Sequence, residues 1–187
     1  MVSISTLVGI VPQQDKKDTL LVDGELFYKF NASFNGVHIP LVVSSFVWKD
    51  ELFGKVIVKG YLDTTDAASS SKVRAMHIYA HTIEVAPVDL PECNDIKLYA
   101  RVTRRSEVFP TKQGVDIRRL VATQTTHTGK TVVLSIVAKK VAARAMGEYK
   151  VGDYLDCIGH LRRFKNKYTV VCDTVPEKLL KEGSNNG

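Results

Sequence analysis

The chain has 187 residues, enough for one large domain or two of about 90, and either size can bury a working core. A hydrophobic fraction of 44% with 25% charged residues and a net charge of +6 excludes wholesale disorder, and no run of 18 apolar residues is present to span a membrane. Three cysteines without C-x-x-C spacing, Cys93, Cys157 and Cys172, exclude a full disulfide framework and speak against a metal site.

The N-terminus has no basic region before its short apolar stretch and turns polar at residues 13–18, which argues against a signal peptide and for a cytoplasmic protein. Residues 4–11 read as a strand ended by Pro12. Residues 25–34 read as a second strand, Asn35-Gly36 as a hairpin turn and residues 38–43 as the return. Residues 44–52 are too short and β-branched for a helix. Residues 53–62 form another strand, containing Gly60; a Ser-rich loop at 67–71 and a long final strand at 73–85 follow. Phe27, Tyr28, Phe30, Phe34, Phe46, Trp48, Phe53 and Tyr61 are many aromatics for a small barrel. Most must be core, and a surplus on one face would make a protein-contact patch. Trp48, beside Lys49, Asp50 and Glu51, is expected to be the exposed one. Pro87 and Pro91 then mark a stiff linker over 87–91.

In the second half, residues 96–103 read as a strand, 115–124 and 131–138 as a hairpin around the 127–130 loop, and 139–146 (KKVAARAM) as a short helix closed by Gly147 in a left-handed conformation. A K-V-G-D turn leads to a strand from Tyr154, interrupted at Gly159, where a missing Cβ lets the strand coil or bulge. That arrangement suggests a small closed barrel. Cys157 and Cys172 fall on consecutive strands of it, where inward thiols pack as small apolar residues.

The pattern A-K-K-x-A…Y-x-x-G-D-x-L-x-x-x-G-x-L-R, with Gly152 and Gly159 seven apart, resembles the helix and following strand of bacterial single-stranded DNA-binding proteins and of the related primosomal replication protein. The likeness runs over about residues 95–179, with N-D-I-K-L-Y-A-R-V as the opening strand. It implies an OB fold, a five-stranded Greek-key barrel with a helix between strands three and four. Laid on that pattern, Val132 and Ala138 fall near strand-three positions where the family stacks aromatics, so the primosomal type of binder is the nearer comparison.

The first half matches the second element by element, Gly36 answering Gly129 and Gly60 answering Gly159, with the extra residues of the second copy falling at its helix. The expected fold is therefore all-β: tandem OB barrels, a short helix between strands three and four of the second. Residues 1–86 form an N-terminal domain for positioning or assembly, 92–180 a DNA-binding domain and 181–187 a flexible tail.

Charge separates the halves. Through Pro91 there are 8 Lys and Arg against 10 Asp and Glu, net −2; from Glu92 onward there are 18 against 10, net +8. A basic face on one domain is the footprint expected for a phosphate backbone. Arg101, Arg104 and Arg105 are placed where strand one enters the next loop, Arg118 and Arg119 on strand two, and Arg162, Arg163, Lys165 and Lys167 in the hairpin between strands four and five. These clusters bracket the OB ligand groove, with Lys130 in the strand two to three turn. Phe164 and Tyr168, and beside them Phe109, offer stacking planes.

An enzyme is not indicated. His38, His77, His81, His127 and His160 form no helical ligand pair, and His77 and His81 lie about 13 Å apart if their segment is a strand. The G-K-T at 129–131 lacks the strand and glycine of a phosphate-binding loop. The expectation is a non-enzymatic, cofactor-free, largely sequence-independent single-stranded DNA-binding protein of replication, recombination or repair. Its partners would be single-stranded DNA, replication, helicase or primase proteins and other copies of the chain. The alternative is an OB protein-interaction module of a primosome or mobile-element complex.

Overall fold

Hairpin turns frame two barrels. The computed structural model describes residues 5–13, 18–49, 52–64, 76–126, 129–164 and 167–174. The first half contributes β1 (Ser5–Val11), β2 (Asp18–Val22), β3 (Glu25–Phe34), β4 (Val37–Ser44), β5 (Gly54–Thr64) and β6 (Met76–Val85). Five of them close on themselves: β1 pairs with β3, β3 with β4, β4 in parallel with β6, β6 with β5, and β5 with β1. The second half contributes β7 (Cys93–Pro110), β8 (Asp116–Thr125), β9 (Thr131–Lys139), α1 (Lys140–Met146), β10 (Tyr154–Phe164) and β11 (Lys167–Thr174). The same closure recurs as β7–β8–β9–β11–β10–β7, again with a single parallel pairing, β9 against β11. These are tandem OB barrels, with the helix between strands three and four of the second as expected.

Gly60 and Gly159 occupy the same place in the two copies. Each sits at a register shift, and a Cβ there would overlap the Tyr79 or Val171 carbonyl oxygen of the neighbouring strand. Only glycine lets the two backbones approach that closely. The Asn35-Gly36 turn also forms as read, both residues having positive φ.

The barrels are joined edge to edge, β1 pairing antiparallel with β7 from Ser5 opposite Ile96 to Val8 opposite Cys93. Most of their buried apolar side chains form one contiguous cluster. At the junction the buried Asn94 donates from Nδ2 to the Phe34 and Leu161 carbonyls, both at 3.3 Å, and accepts the Leu161 N–H at 3.2 Å. The connection between β6 and β7 is held down as well, Lys55 Nζ donating to the Val88 carbonyl at 2.7 Å.

Four local expectations are corrected. The strand β2 was not expected, although Asp23 and Gly24, with φ of 51° and 84°, form a hairpin turn into β3. β7 runs to Pro110, so Arg104 and Arg105 lie on a strand and not in a loop. Gly147 is right-handed (φ −61°, ψ −26°); its lack of a Cβ makes room for Arg118 instead, whose Nη2 would lie 3.0 Å from one. Trp48 is 6% exposed and stacks on Phe30 with ring centroids 4.2 Å apart, whereas Phe46 is 85% exposed. A one-turn bend, with the Val47 and Trp48 N–H groups both donating to the Ser44 carbonyl, turns Trp48 inward. The Ser-rich loop at 67–71, residues 73–75 of the last first-half strand, residues 127 and 128, and the tail at 181–187 lie outside the described residues.

Candidate nucleic-acid interface

Successive residues of a strand point to opposite faces, and directly paired residues share a face. Leu120 and Ala122 of β8 are buried in the barrel, so Ile117, Arg119, Val121 and Thr123 face outward. The ladder then assembles rows across the outer surface. Tyr154, Arg101, Thr123 and Val133 form one row over β10, β7, β8 and β9. Arg104, Val121 and Ser135 form the next, and beyond Arg119 and Val137 come Phe109, Ile117 and Lys139. Arg101, Arg104, Arg119 and Lys139 are all exposed, and Phe109 is 50% exposed.

Arg104 faces outward because of a bulge. The register of β7 shifts between Val102 and Arg104. There the 150–153 turn clips onto the strand: the Gly152 N–H donates to the Val102 carbonyl and the Val102 N–H to the Asp153 carbonyl, each at 2.8 Å. Gly152 has φ +98°, which the turn requires.

Arg105 and Arg118 go the other way. Arg105 is paired with Leu120, and Arg118 lies between Ala138 and Val108; both reach past the barrel rim to the end of α1. Arg105 Nη1 donates to the Gly147 carbonyl at 2.7 Å and the Tyr149 carbonyl at 3.0 Å, where a helix C-terminus favours a cation. Burial, with the Arg105 charge second, lowers the Arg118 pKa from its ordinary value. The two arginines, Glu107 and Val108 line an open cavity of about 340 Å³.

The β10–β11 hairpin faces the first barrel. Tyr168 donates its hydroxyl to the His38 carbonyl of β4 at 2.8 Å, Arg163 reaches the same oxygen at 3.5 Å, and its guanidinium lies 5.6 Å from the Tyr168 ring centroid. Burial raises the Tyr168 pKa, opposed by the Arg163 charge. Arg162 and Lys167 are exposed on this hairpin, and Lys130 is half-buried in the β8–β9 turn. The side chain of Phe164 and all of Lys165 lie outside the described residues. Val132 and Ala138 point into the core, fully buried; the outer face of β9 carries Thr131, Val133, Ser135, Val137 and Lys139, with no aromatic among them.

No protein-family model matches the chain, and no curated protein sequence does. Solved structures do match. A deletion mutant of the single-stranded DNA binding protein from Thermus aquaticus superposes with a TM-score of 0.78 at 18% identity, covering 99% of this chain and 98% of that one. The chain shares that protein's fold. The wild-type Thermus aquaticus protein gives a TM-score of 0.77 at 17% identity, over 100% and 97% of the two chains. The protein priB from Ralstonia solanacearum covers 45% of this chain and 97% of its own at 19% identity, with a TM-score of 0.39.

On this tandem OB frame, sequence reading had missed Tyr99 and Tyr154. They stack at 5.1 Å with 12° between ring planes, beside Arg101, and with it and Thr123 help line a cavity of about 220 Å³. Tyr154 is 55% exposed. The available signal was period-two alternation: Tyr99 and Arg101 share one face of a strand whose other face, Leu98 and Ala100, is core.

Proposed function

We propose that the chain is a non-enzymatic, largely sequence-independent single-stranded DNA-binding protein of the cytoplasm, acting in replication, recombination or repair. The observation that carries this reading is the outward-facing Arg101, Arg104 and Arg119 on three successive rows, flanked by Phe109 at one end and by the stacked Tyr99 and Tyr154 at the other. Guanidinium groups neutralise phosphates and release counterions, and exposed rings stack on any base. Such a surface holds a strand by its backbone and by stacking, without reading its sequence. The likeness to the Thermus aquaticus protein supports the reading at the level of fold.

Residues 92–180 hold the strand in this reading. Residues 1–86, acidic on balance, position it or mediate assembly with replication proteins, such as a helicase or primase, or with further copies of the chain, and 87–91 join the two. Of the twelve binding residues expected from sequence, Arg101, Arg104 and Arg119 contact the strand directly. Lys130, Arg162 and Lys167 extend the basic margin, while Arg105 and Arg118 support the rim and Arg163 and Tyr168 hold the barrels together.

The test is fluorescence anisotropy of a labelled dT oligomer of about 30 nucleotides, long enough for two OB sites, at two salt concentrations with a duplex control. Tight, salt-sensitive binding to the single strand is expected. Replacing Arg101, Arg104 and Arg119 together by alanine should reduce the log–log salt slope by about 2, at about 0.7 for each phosphate left without its arginine. No binding at low salt would overturn the proposal.

A further inference from the structure

The strand β2 is the last of the sheet order and pairs only with β3 among the described residues. It presents an open edge. Its ladder with β3 is regular throughout, from Asp18 opposite Lys29 to Val22 opposite Glu25. Leu21 is 74% exposed, Val22 47% and Leu26, directly across from Leu21, 37%. The Ser45 N–H donates to the Leu26 carbonyl at 2.9 Å, which sets the turn carrying Phe46, 85% exposed, alongside. The result is an apolar strip beside an unpaired backbone edge.

The second barrel has the same hairpin with the edge closed. There the end of β7 runs along β8, Val108 opposite Arg118, Phe109 opposite Ile117 and Pro110 opposite Asp116, answering Thr19–Tyr28, Leu20–Phe27 and Leu21–Leu26. Pro110 lacks an N–H, and a bulge falls between Arg105 and Val108. Proline and bulges are the devices by which proteins blunt sheet edges. In β2 both are missing. The basic surface is reduced as well: Tyr28 stands where the second barrel has Arg118, leaving Lys29 in the place of Arg119, and Asp18, Asp23 and Glu25 are exposed around the strip.

We propose that the β2 edge is a peptide-docking site that takes an extended segment of a partner protein as an added strand. The segment carries apolar side chains at alternate positions, to lie on Leu21, Leu26 and Phe46, and lysine or arginine at its flanks, to face Asp18, Asp23 and Glu25. Strand addition satisfies the open N–H and carbonyl groups, while alternate side chains give specificity. The acidic rim repels a phosphate backbone.

The test uses the full chain and a fluorescein-labelled peptide alternating valine and threonine between lysine pairs, followed by anisotropy, with dT binding measured in parallel. Two variants apply the natural edge-blunting devices, Leu21→Pro, at the position of Pro110, and Leu21→Lys. The expected result is saturable peptide binding, weakened about tenfold or more by each variant and by exchanging the peptide's lysines for glutamates, with dT affinity unchanged. On binding, the β2 amides should also gain protection from hydrogen exchange. No binding of the basic peptide, binding untouched by both variants, or a sedimenting dimer that Leu21→Pro dissolves would each overturn the proposal, the last in favour of a second copy. Unchanged dT binding in the variants keeps this outcome separate from failure of the DNA-binding reading.

Discussion

Arg104 and Arg105 are neighbours in sequence with opposite duties. Arg104 faces solvent from the outer row, whereas Arg105 ties its guanidinium to two carbonyls at the end of α1. Arg104→Ala should therefore lower the salt slope of dT binding by about 0.7 and leave the melting temperature almost unchanged. Arg105→Ala should leave the slope unchanged and cost about 1 to 3 kcal/mol of stability by removing two charge-assisted hydrogen bonds. Binding titrations at several salt concentrations, beside thermal melts, separate the two. The cysteines divide in a comparable way. Cys157 and Cys172 are buried with their sulfurs 2.6 Å apart, and the Cys172 hydrogen bond, then burial, pushes the Cys157 thiol up, so it stays protonated at neutral pH. Half-buried Cys93 should be the thiol that a disulfide-exchange reagent titrates in the native protein, the other two appearing only in denaturant. Three fast thiols would contradict the packing.

At the scale of elements, the glycine kinks decide whether each barrel closes. Gly159→Ala would drive a methyl group into the Val171 carbonyl, and the equivalent Gly60→Ala into that of Tyr79. Each should cost about 1 to 3 kcal/mol or more, as overpacking does. Gly159→Ala should weaken dT binding as well, because β10 carries Tyr154, while Gly60→Ala should act on stability alone. Chemical denaturation with dT titration of both variants checks the contrast. The long β7 is the complementary device: one strand with two bulges serves both the outer arginine row and the rim of α1.

For the whole molecule, the two barrels share a strand pair, a continuous core and the buried Asn94 bridge. Asn94→Ala removes the side chain that the buried Leu161 N–H and carbonyl bond to, at about 1 to 3 kcal/mol. At about 2 to 4 °C per kcal/mol for a chain of this size, the melting temperature falls by several degrees. Calorimetry should still record one cooperative transition in the unaltered chain, since the cores are contiguous.

The sequence by itself determined what local physics encodes: period-two strands, the Asn35-Gly36 turn, the helix at 140–146, the bulge glycines and the repeat that makes the fold tandem. The acidic and basic halves were also legible, because charge is a property of composition. Which side chain faces where was decided by tertiary structure. A bulge at Val102 turned Arg104 outward, and a single turn at Ser44 buried Trp48. Tyr168 and Arg163, which read as groove residues, meet His38 of the other barrel, 130 and 125 residues away along the chain. Pleat alternation reverses with every inserted residue, so facing is known only once the ladder's register is known.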